Sequence, residues 1–406
     1  MRTSRLMNLA AGAGALALML TGCVPNNVAG SSAALTVDIT DDTCAVSEST
    51  ATAGTMTFTI TNSGTDVNEF YILADDKLRI VGEKENVTPG STVSYVAQLD
   101  PGTYYTGCKF QLIGAVTGIA ELSVTGEASA VSADEQALTD QAVANYISYI
   151  QSQVGELVPQ VTAFTDAYAA GDDETARSLY ASARVSYERI EPTAEAFGDL
   201  DPKIDYREVD AVAEGLDWTG FHRIEKDLWP PAAGDLNSDG ESAFLDWASS
   251  TPDERKEYAD SLVADVQQLS DLVNAKDFTV SLADISNGAI GLLDEVAVGK
   301  ISGEEDWWSH TDLYDFYANV QGAEVAFGNV KDIATSKGAE GAKLVKDIDT
   351  EFGTLKTLLA KYGSLESGFV DYSTVTEAQR KELSDQVNAL AEPLSNLTHT
   401  VLGIAE

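Results

Sequence analysis

The pattern of apolar residues changes once along the chain, near Ser132, and this change restricts the possible folds more than any other feature. From Leu35 to about Gly126, short runs rich in Val, Ile, Thr and Tyr are separated by turn signals such as Pro89-Gly90. About seven such runs at this spacing predict a small β-sandwich. After Ser132, apolar residues recur roughly every three to four positions, which is typical of amphipathic helices. The sequence therefore predicts a multidomain protein, with a β-sandwich domain followed by an all-α helical bundle.

The predicted boundaries follow these patterns. Residues 35–127 form the β-sandwich, residues 128–134 a linker, and residues 135–406 the helical bundle. Alternation over residues 55–61 places Met56, Phe58 and Ile60 on one strand face, where we expect the core. Helices are predicted at residues 137–158, 174–197, 252–273, 282–298, 312–334, 342–362 and 377–404.

Residues 1–22 have the composition of an export signal. Arg2 and Arg5 precede an apolar run over residues 9–20, which is too short to be a comfortable membrane-spanning helix. The following Leu-Thr-Gly-Cys resembles a bacterial lipobox, in which the cysteine, here Cys23, is diacylated. Double acylation anchors a protein stably, so we predict an extracytoplasmic lipoprotein tied to the membrane through a tether over residues 23–34. The alternative is a plain secretory signal with a chance cysteine.

The charge of the chain restricts its partners. There are 65 acidic and 25 basic residues, for a formal net charge of −40. Such a charge repels nucleic acids and anionic lipid surfaces and attracts cations. We therefore exclude nucleic acid as a partner. Acidity by itself is weak support for metal binding, because solvated acidic surfaces are common.

The β domain offers sulfur and oxygen ligands but no imidazole. Residues 35–126 contain no histidine, which excludes a blue-copper centre with its His and Cys ligands. The domain does contain Cys44, Glu69, Glu85 and Cys108. In an oxidising compartment the cysteines form a structural disulfide, or they act as thiolate ligands to a metal together with the carboxylates. The sequence leaves both interpretations open.

Two short motifs in the helical half place potential metal ligands about one helical turn apart. Glu188 and Glu191 lie in YERIEP, and His222 and Glu225 lie in FHRIEK, with Asp205 between the motifs. An i, i+3 spacing puts both side chains of a pair on one helix face, and helical bundles bind iron or manganese with such inward-facing groups. The alternative for His222 and Glu225 is a hydrogen-bonded pair that stabilises helix packing.

The His-x-x-Glu element also suggests a metal hydrolase, but the motif is incomplete. Zinc peptidases with related motifs have a second histidine close to the glutamate, whereas Glu225 is followed by Lys226. His310, in EEDWWSHTDLYDF, is distant in sequence from this motif, and it is a candidate for a further metal ligand if the fold brings it close. His399 is predicted to be an ordinary helix residue.

An acidic segment after the second motif has the spacing of a calcium loop. Asp235, Asn237 and Asp239 are followed by Gly240, and Asp246 stands where an EF-hand has its bidentate glutamate. The segment is therefore a candidate calcium site. The alternative is a solvated acidic turn, because these residue types favour turns.

The helical half resembles the imelysin family of proposed metallopeptidases, and in particular the EfeO-type proteins of bacterial ferrous-iron uptake. The β half resembles the cupredoxin-like domain of these proteins, so the resemblance covers nearly the whole mature chain. The segments that carry it are YERIEP (187–192), residues 199–201 and 204–205, TGFHRIEKDLW (219–229), KISGEED (300–306) and SHTDLYDFYANVQGAE (309–324) in the helical half, and TDDTC (40–44), KENVTPG (84–90) and PGTYYTGC (101–108) in the β half.

The resemblance implies a role and a set of ligands. It implies an exported protein that binds ferrous or ferric iron and works with a ferrous-iron permease and a haem peroxidase-like partner, with a second metal in the cupredoxin-like domain. The implied ligands are Glu188, Glu191, Asp205 and one of Glu304 and Glu305, of which we prefer Glu305, with the family's His-x-x-Glu on His222 and Glu225. In the β domain they are Cys44, Glu69, Glu85 and Cys108, although Tyr71 stands where a carboxylate is expected. The alternatives are an imelysin-type peptidase that uses His222 and Glu225, and a carbohydrate or adhesion binder, for which Trp307-Trp308 is the indication.

Overall fold

The computed structural model describes residues 33–404, with the exception of residues 78, 113, 128, 129 and 246. The predicted signal peptide, Cys23, most of the tether and Asp246 therefore lie outside the described residues. In the part of the chain that is described, no helix combines the length and the apolar character needed to cross a membrane.

β-Strands make up the first part of the described chain and form two sheets. The strands are β1 (Ala33–Ile39), β2 (Cys44–Val46), β3 (Thr50–Thr52), β4 (Gly54–Asn62), β5 (Asn68–Leu73), β6 (Ile80–Val87), β7 (Thr92–Leu99), β8 (Gly102–Phe110) and β9 (Thr117–Thr125). The first sheet has the order β2-β1-β4-β7 and the second β3-β9-β8-β5-β6. β1 is parallel to β4 and β3 to β9, whereas the other neighbours are antiparallel. The sequence pattern does not predict β2 and β3, which have only 3 residues each.

The core of the β domain lies between the two sheets. The alternation of β4 buries Met56, Phe58 and Ile60, as predicted. Phe58 meets Phe70 of β5 in the second sheet, with 5.3 Å between the ring centroids. Because successive residues of a strand point to opposite faces, the sequence neighbours of Phe70 point away from this core. The prediction of a β-sandwich is confirmed.

A disulfide joins the two sheets. Cys44 in β2 and Cys108 in β8 are bonded, with 5.8 Å between their Cα atoms and a sequence separation of 64. Of the two alternatives for these cysteines, the structure contains the disulfide. The prediction that Cys44 and Cys108 are metal ligands is corrected, because thiolate is the form of cysteine that binds metals and neither sulfur is a thiolate in a disulfide.

Removal of this disulfide is expected to destabilise the protein. A bond that closes a long loop restricts the unfolded chain and typically contributes about 2–4 kcal/mol. We expect the double variant Cys44→Ser, Cys108→Ser to unfold at a lower guanidinium concentration than the wild type. A soluble form that begins after Cys23 should react with a thiol reagent only after reduction. An unchanged unfolding midpoint in the double variant would show that the bond has no stabilising role.

Helices make up the rest of the described chain, apart from a short hairpin formed by β10 (Gly363–Ser364) and β11 (Gly368–Phe369). The long first helix, α1, packs against α2, α6 and α8. The helices are α1 (Ala133–Ala169), α2 (Asp173–Glu188), α3 (Leu200–Asp205), α4 (Glu208–Glu214), α5 (Gly220–Leu228), α6 (Pro252–Val273), α7 (Leu282–Val298), α8 (Asp312–Ser336), α9 (Ala339–Leu359), α10 (Glu377–Leu394) and α11 (Leu397–Leu402).

Two of the predicted helices are interrupted. α2 ends at Glu188, and residues Glu191–Phe197 form a 3₁₀ segment instead of continuing the helix. Pro192 accounts for this break, because proline disfavours helical backbone at the preceding residue and has no N–H to donate. The last predicted helix is divided into α10 and α11. Glu188 and Glu191 therefore lie on two adjoining segments rather than on one helix face.

The second sheet of the β-sandwich is in contact with the helical bundle. Lys84 of β6 lies 3.2 Å from Asp294 of α7, and Lys109 of β8 lies 2.8 Å from Glu214 of α4. Lys109 points to the same sheet face as Glu69, its partner in the register of β5 and β8. Helices α4 and α7 therefore cover part of this outer face of the second sheet.

Candidate metal centre

Side chains from α2, α3, α5, α8 and the loop before α8 meet at one place in the helical bundle. Gly220 allows two of these helices to approach each other. It has a φ of 81°, and a Cβ atom there would lie 2.2 Å from the carbonyl oxygen of Ile204. Any other residue would push α5 away from α3. Because α3 ends at Asp205 and α5 carries His222, the glycine brings these two side chains together.

His222 is buried and has one ring nitrogen without a hydrogen-bond partner among the described residues. This nitrogen, Nε2, lies 3.7 Å from Asp205 Oδ1 and 3.6 Å from Glu305 Oε1. The three ligand atoms are within 4.8 Å of one another. Atoms at such distances can converge on one cation. This group is therefore the candidate metal centre.

Glu225 lies at the other ring nitrogen of His222. Its Oε2 atom is 3.2 Å from Nδ1, and its Oε1 atom accepts the main-chain N–H groups of Trp308 at 3.0 Å and Ser309 at 2.7 Å. A carboxylate at Nδ1 fixes the ring orientation and makes the opposite nitrogen a better ligand. The geometry thus gives Glu225 the role of a positioning residue, one step removed from the centre.

Arg184 of α2 lies between the carboxylates of the centre and is completely buried. Its guanidinium group donates to Glu188 at 2.6 Å, to Glu305 at 3.0 Å and to Asp315 at 3.0 Å, and it also contacts Asp205. A buried carboxylate without a counter-charge is strongly unfavourable. Arg184 therefore stabilises the carboxylate cluster in the absence of a metal ion.

Lys300 provides a second internal cation. Its Nζ atom lies 2.7 Å from Glu191, 3.3 Å from Glu188 and 3.6 Å from Glu305. Asn319 of α8 also donates to Glu188 at 3.0 Å and to Glu191 at 2.5 Å. The two glutamates of YERIEP thus share the same partners even though the helix breaks between them.

The electrostatics of the centre set the charge of His222. Burial and the charge of Arg184 lower the pKa of His222. The hydrogen bond to Glu225 and the nearby carboxylates of Glu305 and Asp205 raise it more, so that the pKa is raised to about 10. Burial raises the pKa of Asp205 to about 7, although Arg184 opposes this shift. At neutral pH without a metal, His222 is therefore a cation.

Lys300 and the charged His222 separate the pKa values of Glu305 and Glu191. Burial raises the pKa of Glu305, but Lys300 and His222 lower it well below its usual range. Burial and the neighbouring Glu188 raise the pKa of Glu191 well above its usual range, and Lys300 does not compensate. Glu305 is thus the ionised carboxylate closest to His222 Nε2, and it is the leading candidate in this group for an anionic metal ligand.

A small cavity lies beside this group. Its volume is about 20 Å³, and a volume of about 10–15 Å³ is enough for one water molecule. The cavity therefore has room for one ion or one water molecule, not for an organic substrate. Its lining includes His222, Glu225, Asn237, Glu304, Glu305, Trp307 and Trp308.

Comparisons with known proteins identify the family of the chain. The family model described as Imelysin matches residues 142–397. This chain belongs to the imelysin family. A cupredoxin-like domain model matches residues 12–118. The chain is 38% identical over 373 residues to the iron uptake system component EfeO of Escherichia coli strain K12, with 91% of each chain covered. Proteins of the same name from Escherichia coli O157:H7 and Shigella flexneri have the same identity and coverage.

The imelysin match confirms the predicted fold class, because it lies on the helices, whereas the cupredoxin-like match includes β1 to β8. The imelysin region contains every residue of the candidate centre. Several of the residues predicted for it are within contact distance of one another or of the shared cations: Glu188, Glu191, Asp205, His222, Glu225 and Glu305.

Two other predicted ligands of this imelysin domain belong to none of the ligand groups found among the described residues. Glu304 also lines the small cavity, but it pairs with Arg207 at 2.9 Å, whereas Glu305 lies at His222 Nε2. His310 belongs to none of these groups, and its role as a metal ligand stays a prediction. It has a φ of 57° and lines a different cavity.

The sequence reasoning missed several members of the cluster because they become neighbours only through tertiary structure. Arg184 is four positions before Glu188 on α2, and this i, i+4 spacing was a detectable signal. Tyr180 donates to Asp306 at 2.9 Å. The missed residues are Tyr180, Arg184, Lys300, Asp306, Asp312, Asp315 and Asn319.

The implied ligand set of the cupredoxin-like domain is divided between two faces of a sheet. Cys108 is opposite Phe70 in the register and faces the sandwich core, whereas Glu69 is opposite Lys109 and faces the other way. Cys44 and Cys108 therefore cannot share a metal with Glu69 through this sheet. Tyr71 donates to Glu69 at 2.6 Å, which gives that carboxylate a partner of its own.

Glu85 belongs to an acidic group on the outer sheet face. Burial raises the pKa of Glu85 well above its usual range, and Glu83, Glu295 and Glu69 raise it further. Glu295 of α7 lies 3.9 Å from Lys300. The carboxylates of the cupredoxin-like domain and the cluster of the helical domain are thus close enough to affect each other electrostatically.

The acidic segment after α5 forms a tight turn in the structure. Asp235 accepts the N–H of Ala232 at 2.7 Å, and Asp239 accepts the N–H of Glu241 at 2.9 Å. Asn237 lies in the wall of the small cavity. These bonds agree with the alternative of an acidic turn. Calcium binding by Asp235, Asn237, Asp239 and Asp246 stays a prediction, because Asp246 lies outside the described residues.

Proposed function

We propose that this protein is the extracytoplasmic iron-binding component of an iron uptake system, and that it carries iron to a membrane permease. The observation that carries the proposal is the convergence of His222 Nε2 with Asp205 and Glu305 next to a cavity of ion size. The relatives named EfeO are iron uptake components, which supports the same role here.

The donor set suits iron as cargo. A ligand set of carboxylates with one imidazole binds hard and borderline metal ions well and binds copper(I) poorly. Arg184 and Lys300 neutralise the carboxylates when no ion is bound. A carrier must release its ion, and internal cations that compete for the same oxygens favour release. We propose one iron site in the helical domain and leave a second metal, on the outer carboxylates of the cupredoxin-like domain, as a prediction.

The predicted partners and location follow from the same proposal. An uptake component works with other proteins, and we propose a ferrous-iron permease and a haem peroxidase-like protein as partners. Acylation of Cys23 would hold the carrier at the membrane outside the cytoplasm, where the permease is reached by diffusion in two dimensions. The net charge of −40 would raise the local concentration of cations near the carrier.

We propose a binding protein rather than a peptidase. In a metal peptidase the glutamate of the motif acts as a general base on bound water. Here both oxygens of Glu225 are engaged, one by His222 and the other by two main-chain N–H groups. These contacts fix Glu225 as the orienting partner of His222, which supports a binding role rather than that of a general base.

Anaerobic titration with ferrous iron, and aerobic titration with a ferric chelate, test the proposed function. We expect saturable binding, anomalous scattering at the iron edge beside His222 in iron-soaked crystals, and no cleavage of a mixed peptide pool. A protein that binds neither form of iron, or that cleaves peptides in a metal-dependent manner, would contradict the proposal.

Binding of iron is expected to release a proton near neutral pH. His222, with a pKa of about 10, carries a proton when the site is empty. A metal ion at Nε2 displaces it, so about one proton leaves with each ion bound, plus a fraction from Asp205. Affinity should therefore rise as the pH rises from about 6 to about 8. Calorimetry in buffers with different ionisation enthalpies measures this release, and His222→Gln should abolish most of it.

A further inference from the structure

A second and much larger cavity lies next to the small one. Its volume is about 840 Å³, within the range of about 300–1,000 Å³ that is typical of sites for small organic ligands. It is bounded by the end of α5, by residues of the loop before α8 and by the start of α10. We call it the aromatic cavity, because its walls include Trp229, Trp307, Trp308 and Tyr372.

The aromatic cavity is lined by basic groups, although the chain as a whole is strongly acidic. Arg177, His310 and Arg380 line it, and Asp235 is the acidic member of the described lining. The carboxylate of Asp235 is already engaged, because it accepts the N–H of Ala232. In a chain with 65 acidic and 25 basic residues, this local excess of guanidinium groups is the reverse of the overall composition.

Main-chain oxygens, rather than carboxylates, hold both guanidinium groups in place. Arg380 donates to the carbonyl oxygens of Val375 at 3.1 Å and Ser302 at 2.9 Å. Arg177 donates to a main-chain oxygen at 2.7 Å, and its acidic neighbour among the described residues, Asp173, is 3.9 Å away. Carbonyl oxygens orient a guanidinium group without neutralising it, and the Asp173 carboxylate near Arg177 is shared with Arg255. Each arginine therefore retains charge and donors for an external anion.

His310 lines the same cavity with a backbone conformation that is uncommon for a residue other than glycine. Its φ is 57°. The conformation is held from both sides, because its N–H donates to the carbonyl oxygen of Asp306 at 2.8 Å and its own carbonyl oxygen accepts the N–H of Tyr372 at 3.0 Å. Backbone strain of this kind persists where the surroundings enforce it, and it is concentrated at ligand sites.

We propose that the aromatic cavity binds a small organic polycarboxylate of about the size and charge of citrate. Guanidinium groups bind carboxylates through paired N–H donors. Arg177 lies 5.8 Å from the ring of Trp229, and Arg380 lies 4.9 Å from the ring of Tyr372, so each cation stands beside an aromatic wall. Because both arginines line the same cavity, a polycarboxylate offers a carboxylate for each of them, whereas a monocarboxylate offers only one. This site does not depend on the iron centre.

Calorimetric titration of tricarballylate into the metal-free full-length protein tests the proposal. This tricarboxylate lacks the hydroxyl group of citrate and so chelates iron less well. We expect saturable binding at about 0.15 M salt, where long-range repulsion by the acidic surface is screened within about 8 Å. We expect an affinity loss of roughly tenfold or more in Arg177→Gln and in Arg380→Gln, because charge-assisted hydrogen bonds are the strong ones.

Two control variants make the result specific. Lys381 is an exposed neighbour of Arg380 and pairs with Asp385 on its own helix. The variant Lys381→Gln should therefore bind tricarballylate normally. Glu305→Gln alters the iron centre and should also bind tricarballylate normally, which separates this proposal from the proposed iron function. No binding by the wild type, equal binding by the wild type and both arginine variants, or displacement by an equal concentration of sulfate would overturn the proposal.

Discussion

Replacing Glu305 with glutamine is expected to reduce the affinity for iron by about 100-fold or more. Its Oε1 atom lies 3.6 Å from His222 Nε2, and both residues line the small cavity. Loss of a partner that only orients a metal ligand reduces affinity about 10–100-fold, so loss of a ligand itself should exceed that range. Anaerobic competition with a chromophoric ferrous chelator measures the change.

Two neighbouring glutamates provide matched comparisons for this prediction. Glu304→Gln changes the adjacent residue, which pairs with Arg207 at 2.9 Å and not with His222, so its iron affinity should equal that of the wild type. Glu225→Gln weakens the orientation of the His222 ring. Its iron affinity should lie between those of Glu304→Gln and Glu305→Gln, about 10–100-fold below that of the wild type. Equal affinities of the Glu304→Gln and Glu305→Gln variants would place the site elsewhere.

The stability of these variants must be measured beside their affinity. Glu305 also contacts Arg184 and Lys300, so glutamine leaves these two cations with one anionic partner fewer. Thermal melts of the metal-free proteins separate this effect from ligand loss. Added iron should raise the melting temperature of the wild type and of Glu304→Gln, because a ligand that binds the folded state stabilises it. It should raise that of Glu305→Gln much less.

Local periodicity predicted the parts of this fold that depend on local sequence. α6 and α7 begin and end at the predicted residues, and the alternation of β4 correctly identified its buried face. The i, i+3 spacing of His222 and Glu225 correctly placed both on one helix, because helical spacing is a property of a short segment. The break before Pro192 was also present in the sequence, and the helix prediction over residues 174–197 ignored it.

Contacts between distant segments could not be predicted in this way. Glu69 and Cys108 were grouped by residue type, and the pairing of Cys108 with Phe70 places them on opposite faces of the sheet. Strand register depends on tertiary structure, so no local pattern contains it. The same holds for Lys300 and Asp315, which reach the centre only after α8 and its preceding loop pack against α2.

Arg184 is the residue that makes the empty centre possible. A group of carboxylates buried together repel one another, and an ion can relieve this repulsion only while it is bound. The guanidinium of Arg184 contacts Glu188, Glu305 and Asp315 with a fixed fork of donors. The helical bundle can therefore fold with the cluster empty, and the proposed binding and release of an ion require no unfolding.

Replacing Arg184 with methionine is expected to destabilise the metal-free protein by about 3–5 kcal/mol, which is the usual cost of removing one partner from a buried ion pair. Methionine fills much of the same volume, so lost charge rather than a cavity dominates. The guanidinium lowers the pKa of Glu188 and of Asp205. Without it the folded-state pKa of Asp205 rises further above its unfolded value, and the folded-state pKa of Glu188, now below its unfolded value, rises as well. Both changes cost more stability as the pH rises above the unfolded pKa values of these carboxyl groups. The deficit should therefore be larger at about pH 8 than at about pH 5.

Metal ions should partly replace the missing guanidinium. We expect a saturating divalent ion to raise the melting temperature of Arg184→Met more than that of the wild type, because the carboxylates have then lost their internal partner. Lys256→Met is the control, since this exposed lysine pairs with Asp260 one turn away and exposed pairs contribute about 0–1 kcal/mol. If Arg184→Met were as stable as Lys256→Met and responded to metal no more than the wild type, Arg184 would not be the internal counter-ion of the centre.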